Sequence, residues 1–105
     1  MNKKVVWLKS AERDMLRTAD YILKEFGRPT KQNFLRETFH TATLIGTNPE
    51  MGHIEPLLSD RAITYRSIMV NDINKIVYQI KNDRIEISAF WDMRREPSTL
   101  ANQVK

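Results

Sequence analysis

The residues of this chain that could do chemistry lie close together at the end of a predicted strand. Segment 90–95 reads Phe-Trp-Asp-Met-Arg-Arg, which places Asp92 beside Arg94 and Arg95. A third arginine, Arg66, lies inside an earlier predicted strand. Guanidinium groups bind carboxylates and phosphates through paired, charge-assisted hydrogen bonds. The pattern therefore favours recognition of an anionic partner, and the three arginines are candidate target-binding residues.

The same residues also allow a purely structural interpretation. Asp92 could form a local ion pair with Arg94 or Arg95 and cap the end of the strand. Arg66 could pair with a carboxylate across the sheet, as exposed arginines often do. From the sequence, both interpretations stay open.

The composition is typical of one soluble globular domain. The 105 residues are 41% hydrophobic and 29% charged, so we expect a single domain over 1–105 with one core. No apolar run approaches the roughly 20 residues of a membrane helix, and the first apolar stretch is too short for a signal peptide. We therefore expect a cytoplasmic protein with no membrane partner. The absence of cysteine excludes disulfides and thiolate metal sites.

The charge is distributed unevenly along the chain. The net charge is +4, from 17 basic and 13 acidic residues. Segments 1–31 and 61–95 are basic, whereas 32–60 is acidic. A basic face for an acidic macromolecule and an ordinary mixed-charge surface are both compatible with this distribution.

Apolar residues at three- and four-residue spacings predict two amphipathic helices. Ser10 is the candidate N-cap of the first helix, whose apolar stripe runs to Phe26. Gly27 and Pro29 are expected to stop it, and Thr30 is the candidate cap of the second helix. The short link makes the two helices an antiparallel hairpin.

The apolar period changes to two in the second half of the chain. Alternation predicts strands near 65–70, 75–80 and 85–92. Tyr65 and Tyr78 on adjacent strands are expected to pack against each other. The turns at 71–72 and 82–83 carry Asn-Asp pairs, which tolerate the left-handed backbone of tight hairpins.

The order of elements predicts an α+β fold. It consists of an N-terminal strand near 3–8, the two-helix antiparallel hairpin and a three-stranded antiparallel meander, all strands forming one sheet. The N-terminal strand could join either edge or lie beside the last strand, and its position stays open.

Strict alternation along the last strand assigns its side chains to two faces. Trp91 shares a face with Ile85 and Ile87, so we expect Trp91 to pack in the core. Phe90 lies on the opposite face, where an exposed aromatic side chain favours a partner surface. Phe90 is therefore a fourth candidate target-binding residue.

The remaining ligand-type residues do not form a recognisable site. His40 falls in the second helix and His53 in the loop after it, so they make no convincing metal site. The glycines Gly27, Gly46 and Gly52 do not form a phosphate-binding loop. We expect neither a metal nor a cofactor.

Five segments of the chain form a recognisable set when they are taken in order. They are Ala19 to Ile22, Leu44 to Gly52, Tyr65 to Ile68, Lys75 to Ile80 and Ile85 to Pro97. Together they resemble the RelE/ParE superfamily of type II toxin–antitoxin toxins. The Asn-Pro-x-Met-Gly element and the Tyr-Arg strand look closer to the ParE branch.

The resemblance implies a small basic toxin that inhibits growth and is neutralised by a cognate antitoxin. ParE members poison DNA gyrase, whereas nuclease members cleave ribosome-bound mRNA without a metal. The expected target is therefore DNA gyrase, with the ribosome and its mRNA as the alternative. A non-toxic module that binds nucleic acid or protein is a third possibility. We expect the antitoxin to dock on the helical hairpin or a sheet edge, and the oligomeric state, a dimer or a toxin–antitoxin complex, stays open.

Metal-independent RNA cleavage needs a base, cations for the phosphate and an acid for the leaving oxygen. Arg66 matches the arginine that the nuclease branch places on this strand, and Arg94 or Arg95 could supply a second cation. Nuclease members usually carry histidine or tyrosine near the end of the last strand, where this chain has Phe-Trp-Asp. If the chain is a nuclease, its candidate catalytic residues are Arg66, Asp92, Arg94 and Arg95. Because no proton donor is evident, we expect binding rather than catalysis.

Overall fold

The chain forms a sheet that is covered on one face by two long helices. The computed structural model describes residues 2–104, and Met1 and Lys105 lie outside the described part. The elements in chain order are β1 (Lys4–Trp7), α1 (Lys9–Phe26), α2 (Arg28–Thr47), β2 (His53–Ile54), β3 (Arg66–Met69), β4 (Asn74–Ile80), β5 (Arg84–Asp92) and α3 (Pro97–Gln103). The predicted α+β class is confirmed. Within the described part, none of the helices has the length and apolar character that a membrane span requires.

The five strands form one mixed sheet in the order β1-β5-β4-β3-β2. Strands β3, β4 and β5 make the predicted antiparallel meander. The open position of β1 is resolved, because β1 pairs in parallel with β5 at one edge. Strand β2 at the other edge was not predicted. It contributes only His53 and Ile54, which is too short for an alternating pattern to be visible.

The first helix begins earlier than predicted. Leu8 occupies the N-cap position, and its carbonyl accepts a hydrogen bond from the Glu12 amide at 3.0 Å. Ser10 therefore lies inside α1, and its prediction as the N-cap is wrong. The reason is that the chain passes directly from β1 into α1, so the turn begins as soon as the strand ends.

The second helix follows the first almost without a break. Gly27 has a φ of 90°, a conformation that glycine adopts at little cost and that reverses the chain within one residue. Pro29 consequently lies in the first turn of α2, where the missing amide of a proline is harmless. Thr30 lies inside α2 and donates to the Phe26 carbonyl at 3.3 Å, so its prediction as a cap is wrong.

The hairpin turns near 71–72 and 82–83 do not use the predicted left-handed backbone. Within residues 2–104, a positive φ occurs at one glycine and at no other residue type. The side-chain oxygen of Asn71 instead accepts hydrogen bonds from the Ile73 and Asn74 amides, both at 2.8 Å. This side-chain turn replaces the left-handed residue that a tighter hairpin would need.

A β-bulge interrupts the pairing of β4 with β5. Val77 lies opposite Ala89, but the next residue, Tyr78, lies opposite Ile87. Ser88 is therefore an extra residue in β5, and side chains beyond it change faces relative to strict alternation.

The sheet separates two apolar clusters. We call the side that carries α1 and α2 the helix face, and the side that carries α3 the rear face. The buried residues of the helix-face cluster are Ala11, Met15, Ala19, Phe34, Ala42, Ile45, Ile76, Tyr78, Ile85, Ile87 and Phe90. Those of the rear-face cluster are Leu58, Tyr65, Val77, Ala89, Trp91, Leu100 and Val104. Tyr65 and Tyr78 lie in separate clusters, so their predicted packing pair is wrong.

The bulge exchanges the expected positions of the two aromatic residues in β5. Phe90 is 2% exposed and packs in the helix-face cluster, 5.8 Å from Phe34 and 6.2 Å from Trp7 between ring centroids. Its predicted exposure is wrong, and it offers almost no surface to a partner. Trp91 is buried, as predicted, but on the rear face and not with Ile85.

Tyr78 anchors the segment that connects α2 to β2. Its hydroxyl donates to the Pro49 carbonyl at 2.7 Å and accepts from the Gly52 amide at 3.0 Å. Burial raises the pKa of this hydroxyl, although the Gly52 hydrogen bond and the Arg66 charge act in the opposite direction. The closeness of the backbone to the phenol leaves no room for a side chain at position 52.

We predict that Gly52→Ala lowers the free energy of unfolding by about 2 kcal/mol, the cost of forcing an extra methyl group into packed structure. An alanine Cβ would lie 2.6 Å from the Tyr78 oxygen and 2.8 Å from the Ser67 carbonyl oxygen. Urea denaturation measures the change. Thr64→Ala, at an exposed position, is the control and should stay within about 0.5 kcal/mol of the wild type. An unchanged unfolding midpoint for Gly52→Ala would contradict the prediction.

Candidate functional site

Asp92 and Arg94 form a closed ion pair at the end of β5. Arg94 donates from its backbone amide to Oδ1 at 2.9 Å, from Nε to Oδ1 at 3.1 Å and from Nη2 to Oδ2 at 2.8 Å. The Arg94 side-chain hydrogen bonds lower the pKa of Asp92 more than partial burial raises it, and the Arg94 amide and the charges of Arg94 and Arg95 lower it further. Asp92 and Arg94 therefore form the local ion pair that the structural interpretation of the sequence allowed.

Arg95 is held differently from its neighbour. Its guanidinium carbon lies 4.5 Å from the centroid of the Trp91 ring, in a cation–π contact. Its backbone amide donates to the Asp92 carbonyl at 3.1 Å, which fixes the start of the side chain. Within residues 2–104, no carboxylate approaches its guanidinium within 4.0 Å. The positive charge of Arg95 is therefore oriented by an aromatic ring and not neutralised by an adjacent ion pair.

Arg66 binds backbone carbonyls and does not form the predicted type of ion pair. Its Nη1 donates to the Gly52 carbonyl at 2.9 Å and to the Glu50 carbonyl at 3.4 Å. No carboxylate of the described residues lies within 4.0 Å of it. Arg66 thus shares with Tyr78 the task of fixing the segment after α2.

The fold does not bring Arg66 together with the strand-end cluster. Arg66 lies opposite Tyr78, whereas Asp92 lies opposite Asn74, four residues away along β4. At about 3.4 Å per residue this separates them by about 14 Å along the strands. They also lie on β3 and β5, with β4 between them, which adds about 10 Å across the sheet. The four predicted catalytic residues therefore do not form one cluster.

A buried ion pair that the sequence did not reveal lies between β4 and the segment after β2. Lys75 Nζ donates to Glu55 Oε1, and the Leu57 amide donates to Oε2 at 3.0 Å. Glu55 is 1% exposed and Lys75 is 8% exposed. Burial raises the pKa of Glu55, but the Lys75 and Leu57 hydrogen bonds and the Lys75 charge outweigh it and hold the pKa below 4.5. The alternating pattern of β4 gives no sign that Lys75 is buried, because the cover over the rear face was not predicted.

This ion pair forms part of the floor of a large apolar groove. The groove has a volume of about 670 Å³ and runs along β2, β3 and the Pro56–Leu58 turn. We call it the Met groove, after the three methionines in its lining. The lining side chains that the argument uses are Met51, Ile54, Leu57, Met69, Met93 and the Glu55–Lys75 pair.

The histidines lie on separate elements, as predicted. His40 is in α2, as expected, whereas His53 is in β2 and the prediction that it lies in a loop is wrong. In the part of the chain that the structure describes, no three histidine, aspartate or glutamate side chains gather in a way that would hold a metal ion.

The fold and the site together define a small basic α+β protein with an apolar groove and an oriented cation beside it. Comparison with protein families gives the match expected for such a protein. The model of the family described as "ParE toxin of type II toxin-antitoxin system, parDE" matches residues 5–97. The chain belongs to this family, and the predicted resemblance to the ParE branch of the RelE/ParE superfamily is confirmed.

Two solved structures have the same fold. One is from the chromosomal ParDE TA system of P. aeruginosa, with a TM-score of 0.70 and 13% identity over 86% of this chain and 95% of that chain. The other is the YoeB dimer from Staphylococcus aureus, with a TM-score of 0.59 and 17% identity over the same shares. A comparison with curated protein sequences gives no match. At these identities the two structures support the fold alone.

We predict that Lys75→Met lowers the free energy of unfolding at pH 7 by about 3 kcal/mol, because it leaves a buried carboxylate unpaired. The double variant Glu55→Gln with Lys75→Met should recover most of this loss, because no buried charge remains. Urea denaturation of the single and double variants measures both effects. Lys81→Met is the control. It removes a more exposed lysine 3.3 Å from Glu86 and should cost at most about 1 kcal/mol.

The loss of unfolding free energy caused by Lys75→Met should also depend on pH. The ionised form of Glu55 is favoured in the folded wild type, so its contribution is present above a pH of about 4.5 and is lost as the pH falls through the lowered pKa. In Lys75→Met the carboxylate protonates more readily, which relieves the burial cost. The difference between wild type and variant should therefore shrink as the pH falls from 7 toward 3. A constant difference over that range would contradict the prediction.

Proposed function

We propose that this protein is a ParE-like toxin that acts in the cytoplasm by binding a protein target of the DNA gyrase class. The observation that carries the proposal is the closed Asp92–Arg94 pair. In this pair the Asp92 carboxylate, which could have acted as an acid or base, is bound to Arg94. In the described part of the chain, Arg95 keeps an unpaired positive charge that can bind an anionic group of a partner. Membership of the ParE toxin family supports the same conclusion.

The strand-end cluster lacks the proton donor that RNA cleavage requires. A carboxylate whose pKa is lowered stays ionised at neutral pH, so Asp92 cannot donate a proton to a leaving oxygen. Phe90 and Trp91 have no acidic group. The hydroxyl of Tyr78 is buried and already engaged with two backbone groups. These residues support binding more readily than proton transfer.

One observation favours a second candidate, a RelE-like ribosome-dependent mRNA endonuclease. The Glu55–Lys75 pair lines the Met groove and couples a carboxylate to a cation without a metal. Such a pair could supply a base for a 2′-hydroxyl and a charge for the phosphate. The burial of the pair and the Lys75 and Leu57 hydrogen bonds that already engage the Glu55 carboxylate weigh against this role.

We propose further that the cognate antitoxin docks on the helical hairpin. Helix α1 exposes several large apolar side chains, among them Tyr21 at 56% and Phe26 at 63%, with ring centroids 6.4 Å apart. Leu16 and Leu23 of the same helix are also exposed. Exposed apolar surface of this kind suits the apolar face of a partner helix. The similar P. aeruginosa chain comes from a ParDE TA system.

The target is tested with purified protein and by induced expression. We predict that the purified protein inhibits DNA supercoiling by gyrase, and that its expression without an antitoxin stops growth and induces the SOS response. Messenger RNA recovered from the same cells should be intact. Rapid loss of translation with codon-positioned mRNA cuts would contradict the proposal and favour the nuclease. In that case the variants Arg66→Ala and Glu55→Gln should be tested for the same mRNA cuts, and loss of the cuts would identify the residue that takes part in cleavage. Harmless expression would favour a non-toxic interaction module.

The antitoxin surface is tested by co-expression with the short reading frame beside the toxin gene. We predict that Phe26→Ser weakens neutralisation and leaves the toxicity unchanged, because it removes apolar contact area from α1 only. Glu25→Ser, at the adjacent exposed position, is the matched control and should be neutralised like the wild type. The measurements are growth after induction and co-purification of the two chains. Equal neutralisation of both variants would argue against the hairpin as the docking surface.

A further inference from the structure

Three cations lie near the end of β5, and two of them are neutralised. Lys75 lies on the rear face, whereas Arg94 lies toward α1, in a pocket that it shares with Tyr21. Lys75 is paired with Glu55, and Arg94 is paired with Asp92. Arg95 has no carboxylate within 4.0 Å in the described part of the chain. Of these three cations, Arg95 is therefore the one whose charge is not matched by an ion pair in the described part of the chain.

Arg95 is not among the side chains that line the Met groove, but Trp91 connects it to the groove. Trp91, on which Arg95 stacks, lies directly opposite Lys75, and Lys75 lies opposite Met69. Neighbouring strands are about 4.8 Å apart, so these three side chains form a continuous row across the rear face. Contact with an indole restricts the orientation of the planar guanidinium and does not use its N–H donors. A carboxylate bound there could accept hydrogen bonds from the paired N–H groups of a guanidinium whose orientation is already restricted.

The groove itself is suited to an extended apolar segment. Its methionines Met51, Met69 and Met93 are each more than one third exposed, and methionine adapts its shape to different apolar partners. Strand β2 pairs with β3 only at Arg66 and Ser67, so the β3 edge beyond Ser67 is not covered by β2. An uncovered strand edge beside an apolar groove is a place where an extended peptide can add as a strand.

We propose that the Met groove and Arg95 together bind an extended segment of the protein target, with apolar side chains in the groove and a carboxylate on Arg95. The inference rests on the proposed function and specifies the chemistry of the partner. A single unpaired cation, Arg95, favours a protein carboxylate over a nucleic acid as its partner. A protein surface that binds nucleic acid needs several unpaired cations for consecutive phosphates. The target is preferred to the antitoxin because α1 offers the antitoxin a separate apolar surface on the other face.

The test measures binding of purified DNA gyrase to the wild type and to Arg95 variants over a range of salt concentrations. Arg95→Ala should weaken binding by about 30-fold, the size of an interfacial hot spot. Arg95→Lys should weaken it by about tenfold, because lysine keeps the charge but not the fork or the stack. Arg95→Ala should also flatten the salt dependence of binding, whereas Arg95→Lys should preserve it because the charge is kept. Neither variant should change the melting temperature. Met69→Glu, which places a like charge beside the partner carboxylate, should weaken binding as well.

Arg36→Lys is the matched control, since Arg36 is an exposed arginine on α2. It should bind gyrase within about twofold of the wild type. If the wild type binds gyrase and Arg95→Lys and Arg95→Ala bind equally well, the inference is overturned and the proposed function stands. If the wild type does not bind gyrase, the proposed function is overturned and the inference with it. If the Arg95 variants lose the antitoxin and keep gyrase, the groove belongs to the antitoxin, which also overturns the inference.

Discussion

The extra residue in β5 determines how the two faces of the sheet are used. A strand alternates its side chains between faces, so a single inserted residue reverses every assignment beyond it. With Ser88 bulged, Phe90 fills the cluster beneath α1 and α2, and Trp91 turns to the rear face. Trp91 then carries Arg95, whose guanidinium stacks on its ring. The position of the candidate binding cation thus depends on one backbone irregularity in the middle of the sheet.

The electrostatics of the site follow from pairing rather than from the total charge. The chain is basic overall, yet two of the three cations near the end of β5 are matched by carboxylates. Matched pairs hold their carboxylates ionised, which makes them poor proton donors, and they leave little charge for a phosphate backbone. A partly neutralised, apolar surface with one oriented arginine has the composition of a protein-binding surface, in which apolar contact and a single arginine anchor act together.

The sequence predicts the large elements well because their apolar periods are long and regular. The two helices and the three-stranded meander were all predicted from spacing, and the family resemblance followed from their order. Features that involve one or two residues were not predictable. Strand β2 has only two residues, and the bulge at Ser88 carries no marker such as glycine. The Glu55–Lys75 pair was missed because it connects positions that become neighbours only when the rear face is covered.

Local capping signals were the least reliable because tertiary connections override them. Ser10 and Thr30 are good N-cap residues, but the chain enters each helix before reaching them. Phe90 was assigned to the wrong face for the same kind of reason, since its register is set by the partner strand. The candidate site was consequently predicted in part: Arg95 stays a candidate, whereas Phe90 is buried and Arg66 is bound to backbone carbonyls.

Hydrogen–deuterium exchange of the toxin, alone and in complex with DNA gyrase, tests the central claim most directly. The account predicts slower exchange on binding in β3 and in segments 53–57 and 91–95, which form the groove and present Arg95. Exchange in α1 and α2 should be unchanged, because that surface is left for the antitoxin. Protection confined to α1 and α2, with no change along β3, would contradict the account.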